Sequence, residues 1–443
     1  MYRSVARVVD LTDPALNQLH GGVSLDEARA RVASGDAAAV SALDGSYALV
    51  GVDGITVRLA RSLDRPLRYF LAKETDGPYL VVADRIDAVH DWMKEHGHGD
   101  QFHPSYTRMV PAHHVVTLRL VGCPDPAPTY VRTFTPARNV LPQDLGEIGR
   151  LYVGALADEI ATWVTAVPAN EPIGVAFSGG IDSGTVFLVT HHVLQRLGLS
   201  PARLKAFTLS AGNGPDLEQA RRFLDALDLG FFLEAVDVDP ASLNPREAVR
   251  LIEDYKPRDV ESATMALALF RGVRERYPEW RFVLDGDGGD ENLKDYPIEE
   301  NPELTIRSVV NNLMLYQEGW GVGSLKHSET YTGGQSRSYA RTYAPLQACG
   351  FSGFSPFTRP RVIAVAEGIP FAALTEGSVE KLYALKGEIT SRGVRAITGL
   401  EMPVFPKRRF QHGAGGDEVF ARRFGATEGQ YRAAFLSRYV GAA

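Results

Sequence analysis

Cysteine is nearly absent from this chain: its 443 residues contain two, Cys123 and Cys349. Two distant thiols build no disulfide framework, and neither stands in a Cys-x-x-Cys pair that would hold zinc or run thiol exchange. Long apolar runs are missing as well. No window reaches the roughly eighteen residues of a membrane helix, so no membrane partner is expected. The opening MYRSVARVVDLTDP holds no apolar stretch of signal-peptide length, and a cytoplasmic setting is the expectation. Positive charge is not in excess: 47 Lys and Arg face 54 Asp and Glu, for a net charge of -7. That balance, with no long basic run, disfavours nucleic acid as a partner. With 44% hydrophobic and 23% charged residues, the chain has the profile of a folded globular protein. Its length allows two or three domains.

The residues up to about 135 read mostly as short strands. SYALVGVDG and ITVRLARS, split by a DG turn, predict a hairpin. PYLVVADR and HHVVTLRLVG read as further strands, and SLDEARARVASG as a helix from a serine cap to a glycine stop. The prolines of CPDPAPTYVRTFTPARNVLP predict an extended connection and a domain boundary near 125–140.

Beyond it, strands and helices alternate. IGVAF, RLKAFTLS, FFLEAVDV and RFVLD read as strands. GTVFLVTHHVLQRLG, PDLEQARRFLDAL and MALALFRGVRERY read as helices. This order predicts an α/β fold, a parallel sheet with helices on both faces, whose ligands bind beyond the carboxyl ends of the strands. After about residue 300 the pattern is helical and loop.

The most informative turn is IGVAFSGGIDSGTVFL, Ile173 to Leu188. A strand delivers the chain to two glycines and a helix begins just after. Such a turn aims backbone N–H groups at one point, at the positive end of the helix. Ser178 and Ser183 add hydroxyl donors. A carboxylate facing a phosphate would repel it unless a cation lies between, so Asp182 reads as a magnesium ligand. The turn lacks the Lys-Ser/Thr of a P-loop. A glycine turn with a capping aspartate is the bland alternative.

The stretch resembles instead the SGGxDS pyrophosphate loop of the ATP pyrophosphatases. Ser178, Gly179, Gly180, Asp182 and Ser183 occupy its fixed positions. A second stretch, VLDGDGGDENLKDY, is similar to the LSGEGADELFGGY segment of asparagine synthetases. Gly286, Gly288, Asp290, Glu291 and Tyr296 match. The resemblance to the asparagine synthetase and β-lactam synthetase family implies ATP as cosubstrate and Mg²⁺ held by Asp182 and Asp290, with Gly286 beside the nucleotide. At Asp287 asparagine synthetases carry Glu and β-lactam synthetases Tyr. A carboxylate there could orient an acyl-adenylate or take a proton from an amine, which leans towards amide formation. AFTLSAGNGPDLEQAR resembles the adenine-binding strand and loop, so Leu209 and Ser210 are expected to line the base, with Phe177 opposite. EMPVFPKRRFQHG resembles the RPKxGF segment, and Lys407 matches its charge-stabilising lysine; Lys386 matches an earlier lysine more loosely. In SPFTRPRVIAVAEGIPF, Pro356 and Phe357 match the family and Thr358 and Arg359 do not, which leaves the substrate open.

The resemblance implies two domains. Residues 1–137 would form a glutaminase-like αββα domain of the Ntn type, degenerate because Met1 is followed by Tyr2 rather than the nucleophilic cysteine. Residues 138–443 would form the synthetase domain. The implied activity is an ATP-dependent, AMP-forming ligase. It adenylates a carboxylate, small or carried on a carrier or peptide, and passes the acyl group to ammonia or an amine. The alternatives are intramolecular closure to a lactam and a non-catalytic binding protein. A homodimer is the working expectation for assembly. His191, His192, His113 and His114 read as packing or surface residues, Arg408 and Arg409 as a solvated basic end, and Cys349 as an isolated thiol.

Overall fold

The computed structural model describes residues 7–73, 79–120, 127–295, 298–300, 304–311, 339–406 and 410–439. Its first part is a pair of four-stranded sheets stacked face to face. Strand alternation creates the stack. In the strand Tyr79–Ala83, Leu80 and Val82 point between the sheets, while Val81 and Ala83 point outward. In the strand Thr56–Arg61, Val57 and Leu59 enter the same interior and Ala60 faces the opposite side.

Each outward face is covered by a helix. The helix Leu25–Ser34 lays Ala28 and Val32 against Leu49, Ala60 and Val115. It starts at Ser24, whose side chain accepts from the Glu27 N–H, and stops at Gly35, φ 72°. The helix Ile86–Glu95 covers the other face with Ile86, Val89 and Met93. The layers are compatible with the expected αββα sandwich. The hairpin pairs Ala48 with Arg61 through to Asp53 with Thr56, and Gly54 at φ 59° makes its turn. Within the expected connection, Thr129–Arg132 is an edge strand on His114–Arg119. Cys123 lies outside the described residues.

The second part is a five-stranded parallel sheet. In spatial order its strands are Leu233–Asp237, Leu204–Ser210, Ile173–Ala176, Phe282–Leu284 and Ser352–Phe354. The last was not anticipated: three residues with a central glycine carry no strand signal. The central strand lies between the other two site-bearing strands, so their carboxyl ends are neighbours. Helices close both faces. Leu145–Ala166, Ile181–Arg196 and Val379–Thr398 bury Tyr152, Leu156, Phe187 and Ile389 on one side. Pro257–Arg276 buries Met265, Phe270 and Val273 on the other. Gly149 and Gly393 let the first and third of these helices approach closely; a Cβ on Gly149 would stand 2.4 Å from the Ile389 carbonyl oxygen.

Polar contacts tie the sandwich to the sheet. Glu253 accepts from the N–H groups of Ile86 and Asp87 at 2.8 and 2.9 Å. Arg85 donates to the Leu251 carbonyl at 2.7 Å and Gln18 to Ser352 Oγ at 2.7 Å. Among the described residues, no helix is long and apolar enough to cross a membrane.

Candidate nucleotide and acyl-transfer site

Two turns meet at the carboxyl ends of adjacent strands. The first leaves Ala176 and runs through Ser178 and Gly179 to the helix starting at Ile181. Gly179 has φ 70°, and a Cβ there would come within 2.9 Å of the Ala220 backbone. Only glycine combines that dihedral with that approach. The turn is stitched by its own serines: the Ser178 N–H donates to Ser183 Oγ at 3.2 Å, and the Gly180 N–H to Ser178 Oγ at 3.3 Å. Gln219 donates to the Ser178 carbonyl at 3.3 Å.

The second turn follows Leu284. Gly286 lies against the first turn, where a Cβ would be 2.9 Å from the Ser183 nitrogen. A Cβ on Gly289 would strike Asp182 Oδ1 at 2.2 Å. The two glycines therefore let Asp182 and Asp290, far apart in sequence, share one cleft. Asp285 is buried beneath them. Its Oδ1 accepts from the Asp287 N–H at 3.0 Å and its Oδ2 from Ser355 Oγ at 2.8 Å. Burial first, and then the neighbouring Asp287 charge, push its pKa well above the carboxylate range.

Lys386, from the helix Val379–Thr398, enters the cleft from the side. Its Nζ donates to Asp182 Oδ2 at 2.6 Å and to Asp290 Oδ1, and stands 3.4 Å from Asp295 Oδ2. Burial disfavours its charge, but the three carboxylates outweigh burial and hold its pKa well above the ordinary lysine value. The cleft is lined by Ser178, Gly180, Asp182, Ser183, Asp290 and Lys386, with Asp216, Gln219 and Phe405 completing its wall. Its donors are backbone N–H groups, hydroxyls and a cation, and its acceptors are hard carboxylate oxygens. Among the described residues no group of three or more His, Cys, Asp or Glu is placed to hold a metal. Two carboxylates suffice for Mg²⁺ when phosphate oxygens supply further ligands, so Asp182 and Asp290 fit that ion.

Asp287 stands beside this cleft, where its carboxyl meets Thr342 and Arg341 of the helical turn Tyr339–Tyr343. It is not among the cleft's lining residues. Burial pushes its carboxyl up to about 6, against a hydrogen bond from Thr342 and the charge of Arg341. Its Oδ2 is buried without a hydrogen-bond partner among the described residues. Arg341 is fixed by Asp259, Nε to Oδ1 at 2.9 Å.

Several expected residues stand elsewhere. Phe177 and Leu209 are corrected: both side chains are core. Phe177 is 3% exposed and packs edge-on to Phe223 and against Phe187, while Leu209 is 1% exposed beneath the sheet. Strand alternation turns them inward, so neither side chain sandwiches a base. Ser210 is half-buried at the strand end. Arg359, which departs from the family's pattern, has its hydrogen-bond partners in the sandwich. It is buried against the sandwich, donating to the Gly45 carbonyl at 2.8 Å and Asp44 at 3.2 Å. Lys407, Arg408, Arg409 and Tyr296 lie outside the described residues; Phe405 and Pro406 line the cleft just before Lys407. His191 packs edge-on to Phe232, and His113, buried, is pushed down to about 3 by burial and neighbouring cations. Burial raises the Cys349 thiol to about 11, which keeps it unreactive.

Asp295, Asp216, Asp285, Asp259 and Arg341 were not singled out in the sequence. The first three stand in or beside the quoted motifs and could have been found there. Arg341 and Asp259 are 82 positions apart and give no local signal.

Residues 157–346 match the family model described as asparagine synthase. No curated protein matches the chain.

Proposed function

We infer that this chain, which belongs to the asparagine synthetase-like family through its domain at 157–346, is an ATP-dependent ligase that works by adenylation. One observation carries the reading: two strand-end turns hold Asp182 and Asp290 against a single buried ammonium, Lys386, beside an N–H and hydroxyl nest. Carboxylates arranged around a cation at the mouth of an anion nest suit a polyphosphate tail better than any neutral ligand. Ser178, Gly179, Gly180 and Ser183 would cradle the two outer phosphates. Asp182 and Asp290 would hold Mg²⁺, which when bound neutralises charge on the phosphate oxygens.

The substrate carboxylate attacks the α-phosphorus, the bond to the bridging oxygen breaks, and pyrophosphate leaves. Lys386 supplies positive charge where the departing group gathers negative charge. An amine or ammonia then attacks the acyl carbon and AMP departs. Asp287, with its raised proton affinity and a free oxygen, suits the role of accepting the proton this amine must lose. The acyl group is a small acid or one borne by a carrier or peptide.

ATP–pyrophosphate exchange with a panel of carboxylates tests the reading. Exchange is expected with the correct acid, and Asp182→Ala should reduce it on the order of 10²–10³-fold. Release of ADP and phosphate instead of AMP and pyrophosphate would overturn it.

A further inference from the structure

A second cleft lies between the helix Pro245–Ile252 and the two C-terminal helices Phe410–Arg423 and Glu428–Leu436. Four arginines line it, Arg246, Arg250, Arg422 and Arg423, and no aspartate or glutamate does. This is a cleft of one sign on a chain whose commoner charge is the other, 54 acids against 47 bases. Arg246 and Arg250 are one helical turn apart and so project on the same side of their helix. The start of that helix, Asn244 to Arg246, also faces the cleft and adds its partial positive charge.

The arginines are poorly committed to the protein itself. Arg422 pairs with Glu418 on its own helix, both largely exposed. Among the described residues, no ion pair engages Arg246, Arg250 or Arg423. Two buried polar groups of lining residues also have no partner there: Arg423 Nε and the Tyr431 hydroxyl, on a side chain 2% exposed. Between the charges the wall is apolar, with Leu243, Ala426 and Ala433. The volume, about 700 Å³, exceeds what one small anion fills.

We propose that this cleft docks an acidic polypeptide segment whose carboxylates meet the four arginines while its apolar side chains rest between them. Spread charges over an apolar wall match an extended chain; a lone phosphate needs donors converging on one point. The segment Phe410–Arg423, two helical pieces that meet in a kink at Gly416, runs between this cleft and the catalytic region. Its Ala414 carbonyl accepts from the Ala211 N–H at 3.1 Å, beside the nucleotide cleft, and its far end carries Arg422 and Arg423. A docked polypeptide would therefore sit one kinked helical segment away from the adenylation chemistry. The inference does not depend on that chemistry.

The test is fluorescence anisotropy of the full chain with a labelled peptide of alternating Glu and Leu, and the same peptide with Gln for Glu. The Glu peptide should bind at low salt, weaken as salt rises, and exceed the Gln peptide by about tenfold or more. The doubles Arg246→Glu/Arg250→Glu and, more gently, Arg246→Gln/Arg250→Gln should each lose Glu-peptide binding. Both should keep the wild-type circular dichroism and ATP–pyrophosphate exchange. Absent binding of the Glu peptide, equal binding of the Gln peptide, or full affinity in both doubles overturns the proposal. So does complete displacement by inorganic phosphate, which marks a small-anion site, or tighter binding of single-stranded RNA. Because exchange is read separately, failure here leaves the ligase reading untouched, and the reverse holds.

Discussion

The N-terminal sandwich and the parallel sheet both bury charge, but they dispose of it differently. In the sandwich, Arg61 is 2% exposed and gives its guanidinium to backbone. It donates to the carbonyls of Val110, Ser62, Leu63 and Arg65 at 2.5, 3.1, 3.2 and 2.8 Å. Such a charge is consumed by the fold. At the sheet, Lys386 is bound by side chains alone from two separate turns and opens onto a cleft. Its carboxylate partners can exchange it for a metal cation, and the ammonium can turn to a phosphate, without breaking any backbone hydrogen bond. Charge tied to carbonyls reads as architecture, and charge shared among side-chain carboxylates at a cleft reads as chemistry.

Three substitutions sharpen that contrast. The largest effect is expected for Lys386→Met, which leaves three carboxylates facing one another. ATP–pyrophosphate exchange should fall by about 10³-fold. An exchange rate within a few-fold of wild type would move Lys386 into the architectural class. Next is Asp287→Asn. Amide formation should drop on the order of 10²-fold while exchange persists, because the amide keeps the shape and loses the proton acceptor. The sign with pH follows from the raised carboxyl, about 6 against an ordinary 3.8. Below pH 6 the acid is protonated and cannot accept, so kcat/KM for the amine should climb through that value and then level. Asp287→Asn should abolish this rise; an identical profile in the variant would remove Asp287 from the proton transfer. The same raised value disfavours folding as pH climbs through it, since the buried acid must then ionise.

The smallest catalytic effect belongs to Arg61→Met. Orphaned carbonyls should cost about 1–3 kcal/mol of stability, seen as a lower unfolding midpoint in denaturant. Turnover per folded molecule should stay unchanged. A drop in turnover with normal stability would show that the sandwich takes part in the chemistry.

Much of this was legible locally. The hairpin at Asp53–Gly54, the helix from Ser24 to Gly35 and the strand–turn–helix at Ser178–Ser183 each rest on neighbouring residues, so their letters announce them. The errors have one cause. Phe177 and Leu209 sit beside the site in the chain, yet the pleat turns their side chains into the core. Arg359, a departure from the family's pattern, likewise reaches across to Gly45. Side-chain direction and long-range partners are settled by packing, which no local pattern reports.

By itself the sequence determined the alternation of strand and helix, the glycine turns and the acids that follow them, because dihedral freedom and short-range hydrogen bonding depend on adjacent residues. Only the tertiary structure decided that Lys386 joins Asp182 to Asp290, that Arg341 faces Asp287, and that four arginines from two helical segments share one cleft. Those pairings span many tens to hundreds of residues, and close distance between such residues exists only once the sheet and its helices have packed.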